Sequence, residues 1–407
     1  MLMSFRLIHT IDFENLRLER AKGCWLWDTT NKKYLDMESG IWCTNLGHNH
    51  HLINQAAKEQ MEKLVHVGSR FIATVTEDSA EELLSLVPGK FSQLTFLNSG
   101  SEAIEFSLKV ARLVTGRTRV LSISNSYFGA YGSSAESSGV ENTGESLKIP
   151  LQWLLHSEDV CGDQQTQELD LFLSSEENNI ATFLLEPVLI GGGIYLPCPQ
   201  CVRHICNHIQ TRGGLVIIDE VTTGFGRVGP LFGFELHKIW PDILVLGKAL
   251  GNGFPVSASL VTEEVGLACR TSGLYHAQSH QLDPFGAAIA KAVTQEYRKL
   301  DLAKEVVEKG EELLSFLRSN KPPFIREVRG IGLTIGLEVQ SWQGKSTQEI
   351  LNLMNGYFLA EGVLVGLKFP VNLVRLLPPL VMGKEELEYF KKVFRIVITK
   401  VKSELQN

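Results

Sequence analysis

The chain has no apolar run long enough to span a membrane, no dense run of lysine and arginine, and no internal repeat or low-complexity tract. The first absence excludes a helical membrane anchor. The second, with a net charge of −7, argues against a nucleic-acid partner, because a phosphate backbone needs a basic track. The third excludes a solenoid or propeller built from short units. The opening "MLMSFRLIHTIDFENLRLER" lacks the sustained apolar stretch of an export signal, so the expectation is a cytoplasmic protein. Cysteine is scarce and odd in number, seven in 407 residues, which favours reduced thiols over a disulfide framework. Small molecules remain as the expected ligands. The 44% hydrophobic content is ample for a large core, and the length suits two or three domains.

Between about residues 93 and 262, short apolar runs alternate with helical stretches: "QLTFLN", "RVLSIS", "IATFLLEPV", "GLVIIDEV", "DILVLGK" and "SASLVT". Runs without polar alternation suit strands buried on both faces of a mainly parallel sheet, which needs helical crossovers. The expected core is α/β. From about residue 300 the pattern changes to a charged helix, "DLAKEVVEKGEELLSFLRSN", and then "FIREVRGIGLTIGLEV", a strand pair around its glycines. A smaller α+β domain is expected there.

"GLVIIDEVTTGFGRVGP" carries Gly224, Gly226 and Gly229 at the spacing of a dinucleotide fingerprint. That fingerprint needs a helix opening at the last glycine and an acid about 20 residues on. Pro230 and "LFGFE" follow instead, so the glycines read as a turn. Asp219, at the carboxyl end of its strand, is then the functional candidate, since ligands of open α/β sheets bind at that edge. Lys248 follows another buried run, in "PDILVLGKALGNGFP". A lysine desolvated there has a lowered pKa and offers a free amine for a Schiff base; a lysine reaching out to solvent is the plainer alternative. In "LTFLNSGSEAIEFSLKVAR" a strand leads through Ser99, Gly100 and Ser101 into an amphipathic helix whose N-terminus can hold a phosphate. Ser99 and Glu102 also form a capping box needing no ligand, and both readings can hold together. A phosphate, a ring nitrogen facing an acid and an aldehyde condensing with a lysine are combined in pyridoxal phosphate.

With these motifs assembled, the chain resembles the class III aminotransferases, the ω-amino-acid group of fold type I pyridoxal-phosphate enzymes. The resemblance runs from "GCWLWDTTNKKYLDMESGIWCTNLGHNH" to "LVRLLPPLVM", through "FLNSGSEAIEFSLKVAR", "SYFGAYGSS", "LLEPV", "IIDEVTTGFGRVGPLFGFE", "DILVLGKALGNGFP" and "SHQLDPFGAAIA". It implies a large α/β domain around the mainly parallel sheet, residues 46–295, and a discontinuous α+β domain from residues 1–45 and 296–407. It also implies that Lys248 is the Schiff-base lysine and Asp219 the partner of the pyridine nitrogen. Ser99, Gly100 and Ser101 would hold the phosphate. Tyr127 would stack on one face of the ring and Val221 lie beneath the other, with Phe128 a further cofactor contact and Glu186 a polar neighbour. Ser279 stands where the family has a threonine that reaches the phosphate of the neighbouring subunit, which implies a homodimer with active sites at the interface.

The chain departs from the family pattern in four places. Thr222 replaces a glutamine near the cofactor's phenolic oxygen, Phe128 a histidine, and Asp283 an asparagine. Gly191 stands where ornithine and acetylornithine enzymes have a glutamate that pairs with an arginine to switch between substrates. Arg375 matches that arginine, so without the glutamate it is expected to stay available for a substrate carboxylate; pairing within the small domain is the alternative. Trp42 resembles the pocket tryptophan of amine–pyruvate enzymes, with plain packing as its alternative.

Cys198, Cys201, His204, Cys206 and His208 superficially offer a zinc set, and His48, His50 and His51 a histidine cluster. The first five lie within eleven residues, mostly on one expected helix, and no metal is expected at either place. The expected activity is amino-group transfer from an amino acid or ω-amine donor to a 2-oxo acid, in ping-pong half-reactions. A racemase, epimerase or aminomutase of the same fold is the alternative.

Overall fold

The computed structural model describes residues 16–68, 70–139, 144–155, 163–175 and 179–406, so most of the opening segment lies outside the described residues. Seven strands make the largest sheet, in the spatial order Phe91–Leu97, Ser257–Thr262, Ile243–Leu246, Leu215–Asp219, Ile180–Leu185, Arg119–Ile123 and Ser146–Ile149. The pairings among the last five are parallel, and Ser257–Thr262 is antiparallel to both of its neighbours. All six apolar runs read from the sequence are strands of this sheet. Ile180–Leu185 and Ile243–Leu246, on either side of the middle strand, are buried along their whole length, because helices cover both faces. The edge strand Ser146–Ile149 carries Ser146 and Lys148 and has no comparable apolar signal.

Two smaller sheets lie outside this one, the first antiparallel throughout and the second closed by a parallel pairing. Ile325–Ile331 and Thr334–Val339 form the expected hairpin, extended by Leu373–Leu376 and Gly366–Lys368. Gly332 makes the turn at φ +54°, where an added Cβ would lie 2.7 Å from the Arg227 carbonyl oxygen, so both backbone and space require glycine. A second small sheet joins Leu18–Lys22, Trp25–Asp28 and Lys33–Asp36 to the short strand Val363–Leu364.

The register of the large sheet gathers its functional strand ends along one edge. Leu97 pairs with Ser257, Leu246 with Ala258, Val245 with Asp219, and Ile218 with Leu185. The segments carrying Ser99, Lys248, Asp219 and Glu186 therefore leave the sheet side by side. This is the edge at which open α/β sheets bind ligands.

One expectation needs correction. Cys201 is disulfide-bonded, whereas Cys24, Cys43, Cys198, Cys206 and Cys269 are free thiols. A residue count gives the compartment in which thiols stay reduced but not which sulfurs the fold brings together. Cys201 and His204 lie on the helix Pro199–Thr211, and His204 Nε2 bonds Asp170 Oδ1 at 2.6 Å, so two of the superficial zinc ligands are engaged elsewhere. Among the described residues, no helix is long and apolar enough to cross a membrane.

Candidate active site

Lys248 sits just past its strand in a left-handed backbone conformation, φ +40°, after Gly247. Such a conformation strains a residue with a side chain, and strain of this kind concentrates where geometry serves function. Its Nζ donates to Thr222 Oγ1 at 2.6 Å. Burial lowers the lysine's pKa, while Asp219, Cys43 and Glu186 pull it back up.

A cavity of about 190 Å³ opens beside Lys248, lined by Gly100, Ser101, Tyr127, Phe128, Gly129, Asp219, Val221 and Thr222. A second, of about 270 Å³, adjoins it across Lys248 and is lined partly by Cys43, Asn98 and Ser99. The walls are close-packed. Val221 fits between Gly100 and Gly247, whose added Cβ atoms would come within 3.0 and 3.2 Å of it. Asp219 is buried, and its Oδ1 accepts from the Val221 N–H at 2.8 Å. Burial lifts its carboxyl to about 6, against the Val221 hydrogen bond and the Lys248 charge. Glu186 accepts from the Tyr127 N–H at 2.7 Å; burial and then the Asp219 charge lift it to about 8, which keeps it protonated at neutral pH.

The capping-box reading of the Ser99 segment holds. Ser99 Oγ accepts from the Glu102 N–H at 3.3 Å, and Glu102 Oε2 accepts from the N–H groups of Ser99 and Asn98 at 3.0 and 2.9 Å. This box starts the helix Gly100–Thr115 and contributes about 1 kcal/mol. The helix N-terminus opens on the cavity through Gly100 and Ser101. The residues fit pyridoxal phosphate on three counts: a helix N-terminus for an anion, a buried acid with one backbone hydrogen bond, and a desolvated lysine, all on one wall-to-wall cavity.

Trp42 approaches from the opposite end of the chain. Ser39, Gly40, Ile41 and Trp42 follow one another at φ +44°, +58°, +57° and +68°, a left-handed turn of four residues. At about 1–2 kcal/mol for each of the three non-glycine residues, this turn needs external ties. Asp36 supplies two, accepting from Glu38 N at 2.8 Å and Gly40 N at 2.9 Å. Ser39 Oγ donates to the Leu377 carbonyl at 2.7 Å. Arg227, fully buried, donates to Ser39 Oγ at 3.2 Å, to the Leu333 and Pro378 carbonyls at 3.1 and 2.6 Å, and to Asn45 Oδ1. The Trp42 ring meets two cations, 5.1 Å from Lys248 Nζ and 4.6 Å from Arg375 Cζ. Trp42 Nε1 and Arg375 Nε are buried without a hydrogen-bond partner among the described residues.

The structure thus brings Gly100, Ser101, Tyr127, Phe128, Asp219, Val221, Thr222 and Lys248 around one cavity, with Ser99 and Glu186 beside it, Trp42 near Lys248 and Arg375 against Trp42. Ser279 is exposed and does not line these cavities. Contrary to the expectation drawn from Gly191, Arg375 is not free but paired, as the alternative had it: Glu38 Oε1 lies 3.5 Å from its Nη2. The expectation failed because Glu38 comes from the far end of the chain, 337 residues away. The reading also missed Arg227, whose place beside the glycines of the turn gave no sign that it is buried. His66 and His280 were missed too; each bonds one oxygen of Asp283, at 2.9 and 2.6 Å.

A family model described as aminotransferase class-III matches residues 10–398. The chain is 32% identical over 403 residues to acetylornithine aminotransferase of Bacillus cereus, covering 97% of this chain and 98% of that protein. Its structure is similar to an (S)-enantioselective ω-transaminase from Thermomicrobium roseum, with 26% identity and a TM-score of 0.90 over 98% of this chain and 97% of that one. An amine transaminase from an uncultivated Pseudomonas species, solved in its PLP-bound form, is 25% identical with a TM-score of 0.88, covering 98% and 99%. These relatives are transaminases, which favours amino-group transfer over the racemase, epimerase or aminomutase alternative.

Proposed function

This chain belongs to the class III aminotransferases, and from that premise we propose that it binds pyridoxal phosphate in the Lys248 cavity and uses the residues around it as follows. The chain is an enzyme of amino-group transfer. Pyridoxal phosphate supplies an aldehyde that condenses with amines and a ring that draws electron density from the substrate's Cα. The single observation that carries the assignment is the meeting of Lys248, Asp219 and the helix N-terminus at Gly100 and Ser101 on one cavity.

Lys248 is the covalent partner and afterwards the base. Burial lowers the pKa of its amine, so Nζ can take the proton from the substrate's Cα and deliver it to the cofactor's aldehyde-derived carbon instead of back to Cα. Thr222, 2.6 Å away, fixes where Nζ waits. Asp219 holds a proton on the ring nitrogen, and Gly100 and Ser101 hold the phosphate, with Ser99 setting the helix start. Tyr127, Phe128 and Val221 enclose the ring. Glu186, protonated and held by the Tyr127 N–H, braces that wall without adding charge. Arg375 takes the carboxylate of the 2-oxo acid, and Trp42 separates it from Lys248.

The same proposal includes a homodimer in the cytoplasm, with Ser279 serving the partner's phosphate. The exposure of Ile41, one residue from Trp42, and of Tyr275, near Ser279, supports a covering subunit. It also retains the division at residues 46–295, supported by the large sheet falling inside that span and the Arg375 sheet outside it.

The test separates the half-reactions. With a donor and no 2-oxo acid, the holoenzyme should release one carbonyl product per active site and stop. Adding 2-oxoglutarate or pyruvate should then yield one new amino acid per site. Product that forms only when both substrates are present together would overturn the ping-pong reading.

A further inference from the structure

We propose that Glu38 is a specificity-determining residue: its carboxylate is the resident anion of Arg375, and a carboxylate-bearing substrate must displace it. The proposal rests on the reading of Arg375 as the carboxylate-binding residue.

The place for Glu38 is built into the strands around Arg375. In the register of that sheet, Arg375 lies opposite Gly336 on one side and Gly366 on the other. A Cβ on Gly366 would fall within the Glu38 carboxylate itself, so that glycine makes the room in which the carboxylate lies. Glu38 is aimed there by the Asp36 hydrogen bond to its N–H, at the entrance to the left-handed turn that carries Trp42. At Gly191 an added Cβ would lie 3.0 Å from the Tyr127 Cβ, so a larger residue there would crowd the cavity wall. The carboxylate beside Arg375 comes from Glu38 instead.

The pair is made to be exchanged. Its one contact is 3.5 Å long, against about 2.7–2.9 Å for a tight guanidinium–carboxylate bond. Among the described residues the Arg375 fork is not closed, since Nε has no partner there, and Trp42 Nε1 is a second unengaged donor on the ring that Arg375 covers. An incoming carboxylate can bind the fork in two places where Glu38 binds it in one. When the substrate end is uncharged, Glu38 keeps the arginine compensated, so that the burial of a lone cation does not count against binding. One site thereby serves two substrates of a ping-pong cycle that differ in charge at that end: a 2-oxo dicarboxylate, and a primary amine with an apolar remainder.

The experiment uses holoenzyme and three variants, with glutarate as a non-reacting dicarboxylate probe and butylamine as a donor whose far end carries no charge. Glu38→Gln should tighten glutarate inhibition and lower KM for 2-oxoglutarate by about tenfold, with kcat changed far less, and should raise KM for butylamine. Gly366→Ala, whose methyl displaces the Glu38 carboxylate, should shift the glutarate constant in the same direction. Arg375→Gln should weaken glutarate. If Glu38→Gln leaves both anion constants unchanged while Arg375→Gln weakens them, the role of Glu38 is wrong and that of Arg375 stands. If Arg375→Gln leaves glutarate binding unchanged, the reading beneath the proposal fails.

Discussion

Asp219 and Lys248 stand at the ends of neighbouring parallel strands, placed by the same register that holds the sheet together. Trp42, Glu38 and Arg375 are placed otherwise, by a left-handed turn from one end of the chain and an antiparallel strand from the other. The first half of the site inherits its geometry from the most buried part of the fold. The second half depends on strained backbone and on a few ties between distant segments, with Arg227 at their centre. The two halves suit different tasks. Proton handling and cofactor electronics need fixed positions, whereas an anion pocket that serves two substrates needs a contact that can be given up.

The largest effect is expected in the sheet half. Asp219→Asn keeps the shape of the wall but cannot hold a proton on the ring nitrogen in the same way. Turnover should fall on the order of 10²–10³-fold, by analogy with loss of one preorganised electrostatic group, while cofactor is retained. Near-normal kcat in a variant with full cofactor absorbance would show that Asp219 does not act on the ring.

A smaller effect is expected where strain is held by side chains. Arg227→Met removes donors from the Leu333 and Pro378 carbonyls, Ser39 and Asn45 together. Leaving such groups buried and unpaired should cost about 3 kcal/mol of stability, measured by urea unfolding. In the same variant KM for the 2-oxo acid should rise while the absorbance of the bound cofactor stays, because the Trp42 turn loosens and the strand ends do not. Loss of cofactor with unchanged KM would reverse the division between the halves.

The same division explains what could be read from the chain. The six buried runs, the Ser99 cap and the strand-end positions of Asp219 and Lys248 are local signals, each legible within about 20 residues. The glycines after Asp219 proved to be turn residues, as the missing helix after Gly229 required. The Glu38–Arg375 pair has no local signal, since its members lie 337 positions apart and meet only through the packing of two small sheets. The left-handed turn was hidden as well: Ile41 and Trp42 are poor candidates for positive φ, and only the ties from Asp36, Arg227 and Leu377 make that conformation affordable to the fold. Cys201 failed for the same reason, because pairing is a property of the folded chain.

The central claim is that Lys248 is where cofactor chemistry meets the protein. Borohydride reduction of the holoenzyme, followed by peptide mass spectrometry, tests it directly. The account predicts pyridoxyl phosphate fixed on the peptide containing Lys248, and no such adduct in Lys248→Ala. An adduct on another lysine, or a peptide at Lys248 left unmodified while the cofactor is retained, would contradict it.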